Sequence, residues 1–155
     1  MNSSNTLLLS KKGMKELKKS IQRLERLQAD VIAQLKNLDK TDGHDQRLAR
    51  VEKLGELEMI ESQLVDKHLQ LSQAKLFPRK RDAIKVALGS VVELIDAHGR
   101  MFRYQLVDSI EANPSDGRIS ANSPLGQTLL GRTIQETINW SSGLGVRQLT
   151  LVRIT

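Results

Sequence analysis

The sequence predicts an α+β protein: an N-terminal antiparallel α-helical coiled-coil hairpin followed by a C-terminal antiparallel β domain with one short helix. Three observations predict it. Two stretches repeat apolar residues at helical spacing, a short polar segment divides them, and beyond Pro78 short β-branched runs separated by turn residues take over. Residues 1–77 are assigned to the hairpin with its tip at 39–47, residues 78–85 to a basic linker, and 86–155 to the second domain.

The first helix is read from Met14, Leu17, Ile21, Leu24, Gln28, Val31, Leu35 and Leu38, alternating steps of three and four with one polar interruption. Lys, Arg, Glu and Gln fill the positions between, all good helix formers, and Ser10 is placed to cap the start. A helix over residues 10–39 would run about 45 Å at about 1.5 Å per residue. The second carries Leu48, Val51, Leu54, Leu57, Ile60, Leu64 and Leu71, and Phe77-Pro78 closes it. Between them, Asp39-Lys40-Thr41-Asp42-Gly43-His44-Asp45 has turn formers and no large apolar residue, so it reads as the hairpin tip. The alternative, a parallel intermolecular coiled coil, is opposed by that turn.

Arg79, Lys80 and Arg81 make the linker a basic contact element. Val91-Val92-Glu93-Leu94-Ile95 and Met101 to Val107 then flank Asp96-Ala97-His98-Gly99 as a β-hairpin, Arg118-Ile119-Ser120 offers a short strand, and Ile134 to Trp140 and Gln148 to Ile154 offer two more. Between these lies Asn122-Ser123-Pro124-Leu125-Gly126-Gln127-Thr128-Leu129-Leu130-Gly131. A capping Ser, a Pro at the first helical position and a terminal Gly mark a short helix that packs Leu125, Leu129 and Leu130 on the sheet.

Composition narrows the chemistry. With no cysteine there are no disulfides, thiolate nucleophiles or cysteine-ligated zinc. His44, His68 and His98 stand far apart, show no metal-binding spacing, and read as surface residues. The N-terminal apolar run is only Leu7-Leu8-Leu9, far below a signal or membrane segment, so a cytoplasmic protein without membrane contact is expected. The net charge of +6 is unevenly placed: residues 11–77 carry 14 Lys/Arg against 11 Asp/Glu, residues 78–85 carry 4 against 1, and residues 86–155 carry 6 of each. An acidic or phosphate-lined partner follows from that excess, and a solvated helix face is the plainer reading.

Leu88 to Leu94, the Leu9-Ser10-Lys11-Lys12-Gly13 opening and above all Ile119 to Gly131 together resemble the GreA/GreB family of transcript cleavage factors over nearly the whole chain. The resemblance implies an FKBP-like C-terminal domain that docks on the rim of the secondary channel of bacterial RNA polymerase, and a coiled coil that brings its tip near the catalytic magnesium. By carry-over, Asn122, Ser123, Pro124, Leu125 and Gly126 match the docking loop. Ser-Pro is equally a plain helix start.

The tip departs from the family, whose cleavage factors carry an acidic motif of the form Gly-Asp-Leu-x-Glu-Asn-Ala-Glu-Tyr that is absent here. Counting forward from Gly13 puts His44 and Arg47 at the key acids, and counting back from Gly55 puts Lys40 and Gly43 there, so the hairpin is shorter by about one helical turn. Two-metal hydrolysis of a phosphodiester needs hard oxygen ligands to hold a second cation beside the first, and Lys or Arg in those places opposes it. Asp39, Asp42 and Asp45 still supply three carboxylates at three-residue spacing, with simple turn chemistry as the plainer account.

The expectation is therefore a secondary-channel regulator without efficient transcript cleavage: a monomer, not itself an enzyme, with no intrinsic metal or cofactor beyond a magnesium ion shared with the polymerase. The alternative is a true cleavage factor in which Asp42 with Asp45, or Asp39 with Asp42, holds that magnesium. The first helix carries 9 Lys/Arg against 4 Asp/Glu over residues 11–40, which suits weak, salt-sensitive contact with nascent RNA or DNA, yet no base-reading motif or stacking platform accompanies it. Prolyl isomerase activity needs an aromatic-lined pocket, for which Phe77, Phe102, Tyr104 and Trp140 are too few.

Overall fold

The computed structural model describes residues 6–40, 43–78, 83–142 and 145–155. The chain forms two compact units, one holding Lys12–Ala74 and the other Thr6–Lys11 together with Lys75–Thr155. The short segment before the first helix thus belongs with the C-terminal half.

The first unit is the helical hairpin of α1 (Lys11–Leu38) and α2 (His44–Gln73). Along α1, Leu17, Ile21, Leu24 and Val31 are buried as their spacing predicts, with Gly13 extending the seam and Met14, Gln28, Leu35 and Leu38 half-buried. Polar contacts between the helices fix their direction. Gln28 Nε2 donates to Glu61 Oε1 at 3.4 Å, His68 Nε2 lies 3.9 Å from Glu25 Oε1, and Asp39 pairs with Arg50. Partner numbers fall along α2 as they rise along α1, so the pair is antiparallel.

The seam of α2 differs from expectation. Ile60 and Leu64 are buried and Leu57 and Leu71 half-buried, whereas Leu48, Val51 and Leu54 are 61%, 66% and 46% exposed. The reason is their spacing. From Leu48 to Ile60 every step is three residues, and each such step falls about 60° short of a full turn, so the row winds half-way round the helix between Leu48 and Leu57. Nearer the tip the half-buried positions are Gln46, Ala49 and Lys53, while Leu48, Val51 and Leu54 join Met59, Val65 and Leu69 on an outer apolar face. Two opposed apolar faces make α2 a helix without one dominant wet side.

In the second unit, β1 (Leu7–Leu9) and β2 (Ala74–Leu76) form a two-stranded sheet, with Leu9 buried and the Phe77 N–H donating to the Leu9 carbonyl at 3.0 Å. Neither strand was expected, since Leu7 to Leu9 lacks the alternation that marks a strand and Ala74 to Leu76 continues good helix formers. The main sheet holds β3 (Val91–Asp96), β4 (Met101–Val107), β5 (Arg118–Ser120), β6 (Thr137–Ser142) and β7 (Gly145–Ile154), in the order β5-β4-β3-β7-β6. Val92 and Leu94 of β3, Leu106 of β4 and Leu149 and Leu151 of β7 bury against Leu125 and Leu129 of α3 (Pro124–Leu129). The α+β class, with helical hairpin and β domain, is as the sequence predicts.

Two details of the sheet depart from the expected pattern. β5 runs parallel to β4, because the connection over residues 108–117 holds two one-turn 3-10 segments, Ser109–Glu111 and Pro114–Asp116, and returns the chain in the same direction. β6 starts at Thr137, not Ile134, because Gln135 takes a positive φ of 72° and the Glu136 N–H bonds back to the Thr133 carbonyl at 3.3 Å. At the β3–β4 turn, Asp96 Oδ1 accepts the backbone N–H groups of His98 and Arg100 at 2.9 Å each, and Oδ2 lies 3.0 Å from Arg100 Nε. The Arg100 N–H is the main cause that holds the Asp96 carboxyl below its ordinary 3.8.

Two outcomes follow. In denaturant unfolding followed by circular dichroism, Ile60→Ala or Leu64→Ala costs about 2–4 kcal/mol, while Leu48→Ala or Val51→Ala stays within about 0.5 kcal/mol. For Asp96 the folded value lies below the unfolded one, so its contribution is present above pH 3.8 and is lost as pH falls through the lowered folded value. Asp96→Asn therefore flattens the acid limb of the stability profile below that pH.

Candidate functional site

The loop that the sequence resemblance marks for docking runs from Ser120 to Gly126. Ser123 is the N-cap of α3: its Oγ accepts the Gly126 N–H at 3.0 Å and its hydroxyl donates to the Ser120 carbonyl at 2.6 Å. Pro124 follows at the first helical position, exposed, while Leu125 turns into the core. At Gly126 a Cβ would collide with the Ser120 carbonyl oxygen and the Ala121 backbone, so the close approach of helix and loop needs glycine. Of the five loop residues, Asn122 and Pro124 are exposed, Ser123 is half-buried, and Leu125 and Gly126 are interior supports.

The loop rests on a buried ion pair that sequence reasoning missed. Glu111 and Arg118 are 4% and 7% exposed, with Arg118 Nη1 3.5 Å from Glu111 Oε1 and Arg118 Nε 3.1 Å from Asp116 Oδ2. Ser10, expected as a helix cap, directs its backbone N–H to Glu111 Oε2 at 3.1 Å and its hydroxyl to Oε1. Ser109 and Ser120 were missed as well: their hydroxyls lie 3.0 Å apart, and Asn122 Nδ2 donates to Ser109 Oγ at 3.2 Å. A charged Arg118 beside Ile119 in a three-residue strand was the one available signal, because a cation next to core positions calls for an acid nearby.

At the other candidate site, Asp39 closes α1 and its carboxylate is held by Arg50. Asp45 is exposed in the first turn of α2, where helix N-terminal amides favour an acid, and Lys40, His44 and Arg47 are exposed around it. Asp42 lies outside the described residues, as do the predicted basic contacts Arg79, Lys80 and Arg81. Among the described residues no three His, Asp or Glu side chains gather into a set able to hold a metal ion. A magnesium ion takes about six oxygen ligands, more than Asp39 and Asp45 alone supply.

Removing Glu111 takes one of two carboxylates from the buried Arg118 guanidinium, Asp116 remaining, and takes from Ser10 the acceptor of its backbone N–H. Glu111→Ala is expected to cost about 1–3 kcal/mol, and Glu111→Leu with Arg118→Met together to cost less than either alone, read from unfolding midpoints. Gly126→Ala should disorder the loop, seen as new amide exchange at residues 120–126.

The family model described as "Transcription elongation factor, GreA/GreB, C-term" matches residues 81–155. Curated relatives include the transcription elongation factor GreA of Zymomonas mobilis, 36% identical over 61% of each chain. The factor of the same name from Mesomycoplasma hyopneumoniae is 30% identical over 83% of this chain and 82% of that one. The crystal structure of GreA factor homolog 1 (Gfh1) of Thermus thermophilus is 27% identical, covers 97% of this chain and 99% of that one, and superposes with a TM-score of 0.44. Among the described residues no helix is long and apolar enough to cross a membrane. The relatives' names overturn the expectation that the chain is not an enzyme, because GreA-type factors stimulate RNA cleavage, a hydrolase activity. On this identity and coverage, the chain belongs to the GreA/GreB family of transcription elongation factors.

Proposed function

We propose that the protein acts in the cytoplasm as a monomer, binds the rim of the RNA polymerase secondary channel through Asn122, Ser123 and Pro124, and regulates elongation chiefly by occupying that channel, with stimulated RNA cleavage as a slow second activity. The observation that carries this is the pairing of Asp39 with Arg50 at a tip that also presents Lys40, His44 and Arg47. A carboxylate neutralised by a guanidinium is a poor ligand for a second magnesium ion, and the neighbouring Lys40 and Arg47 charges raise the electrostatic cost of bringing that ion in. A magnesium at the tip would be one shared with the polymerase, whose own carboxylates would supply the missing ligands. The chemistry it would supply is polarisation of the phosphoryl oxygen and activation of water. This chain's part is to place Asp45 at the reacting end of the transcript.

Asp45 supports a second reading, a fully effective cleavage factor, since it is an exposed acid at a helix N-terminus. The two readings part on the Asp39 carboxylate. Arg50→Ala releases it and is expected to raise stimulated cleavage severalfold, whereas Asp39→Ala leaves cleavage unchanged; an effective factor loses activity in Asp39→Ala.

Binding itself is tested with core polymerase and fluorescently labelled protein. Association at micromolar concentration, displaced by an authentic GreA protein and weakened when Ser123 and Pro124 are both replaced by alanine, is the expected result. No association, or association that GreA does not displace, ends the proposal.

A further inference from the structure

The geometry points to Ser109 as a positioning residue of the docking loop, one that fixes the Asn122 side chain before polymerase is met; this rests on the reading of that loop given above. Asn122 is held in a small closed circuit. Its backbone N–H donates to Ser120 Oγ at 3.1 Å, its Nδ2 donates to Ser109 Oγ at 3.2 Å, and the two serine oxygens lie 3.0 Å apart. Each hydroxyl therefore accepts one bond from Asn122, and a single proton between the two oxygens closes the ring. The second hydroxyl proton remains to donate outward, and the circuit leaves the Asn122 Oδ1 acceptor unused.

Ser109 can do this because the turn that carries it is fixed by the residues that follow it. Asp108 Oδ1 accepts the Ile110 N–H at 3.2 Å, and Glu111 ties the same turn to Arg118 and Ser10 in the interior. The circuit lies on a rigid post, while Ser109 and Asn122 are both exposed. Exposed hydrogen bonds of this kind add little to folding stability, since water replaces them. Their effect falls on binding: an asparagine already held in one rotamer does not lose that freedom on docking.

The test is a double-mutant cycle on affinity for core polymerase, with thermal unfolding measured in parallel. Ser109→Ala should weaken binding about twofold to tenfold, the worth of one immobilised side chain, without moving the unfolding midpoint. Ser109→Thr, which keeps the hydroxyl, should restore it. Asn122→Ala should weaken binding too, and the double variant should bind no worse than Asn122→Ala alone. Multiplying losses, an unaffected Ser109→Ala or Asn122→Ala, a Ser109→Thr as weak as the alanine, or a lowered midpoint that accounts for the loss would each overturn the inference. Wild-type protein that fails to bind polymerase overturns the underlying functional reading instead.

Discussion

The buried pairing of Glu111 with Arg118 is the interaction on which the placement of the Ser10 segment, the 3-10 turn of Ser109 and the loop after Ser120 depends. Arg118 enters the sheet on β5 next to Ile119, and a guanidinium at that depth is tolerable only with a carboxylate beside it. Glu111 supplies that carboxylate and with its other contacts receives Ser10, so one acid unites a residue from the first dozen with two elements a hundred residues later. The parallel entry of β5, the 3-10 turn that carries Ser109 and the loop that follows Ser120 all have their positions fixed around it. A hydrophobic pair in the same place would hold the sheet as well, but it would not hold the Ser10 segment by hydrogen bonds.

The two halves of the protein use different means to hold a shape. The hairpin is a narrow object whose apolar seam is strong along α1 and around Ile60 and Leu64, and whose inner face turns polar toward the tip. Its tip is organised by charge, through Asp39 and Arg50, more than by packing. The β unit is organised by a continuous apolar core under α3 and by close backbone approach at Gly126. On the proposed function, the loop that meets the polymerase benefits from that stiffness, while the tip can vary its residues without endangering a core.

Much of this was legible in the sequence where one physical signal dominated. The steps of three and four through Leu17, Ile21, Leu24 and Val31 gave a helix and its buried face together, and Ser123-Pro124 gave the start of α3 to the residue. The failures arose where two signals competed. In α2 a row of leucines and a valine at constant spacing of three looked like a seam and is half a spiral. Ala74 to Leu76 has helical composition, yet pairing with Leu7 to Leu9 overrides it. At the candidate site the loop residues were found by resemblance, but Glu111, Ser109 and Ser120 were invisible because hydrogen bonds between residues 10 and 111, or 109 and 120, leave no local pattern. The non-enzyme expectation failed for a different reason: it assigned the cleavage chemistry to the polymerase alone, whereas the relatives are named for a factor that stimulates that hydrolysis.

The central claim is that a Gre-type body with a charge-neutralised tip occupies the polymerase channel more effectively than it promotes hydrolysis there. The direct measurement is the rate of RNA 3′-end cleavage in a backtracked elongation complex with magnesium, with and without saturating protein, beside an authentic GreA protein. The account predicts a small acceleration over polymerase alone together with strong inhibition of GreA-stimulated cleavage. Acceleration equal to that of GreA at the same occupancy would contradict it and would make the tip aspartates effective metal ligands.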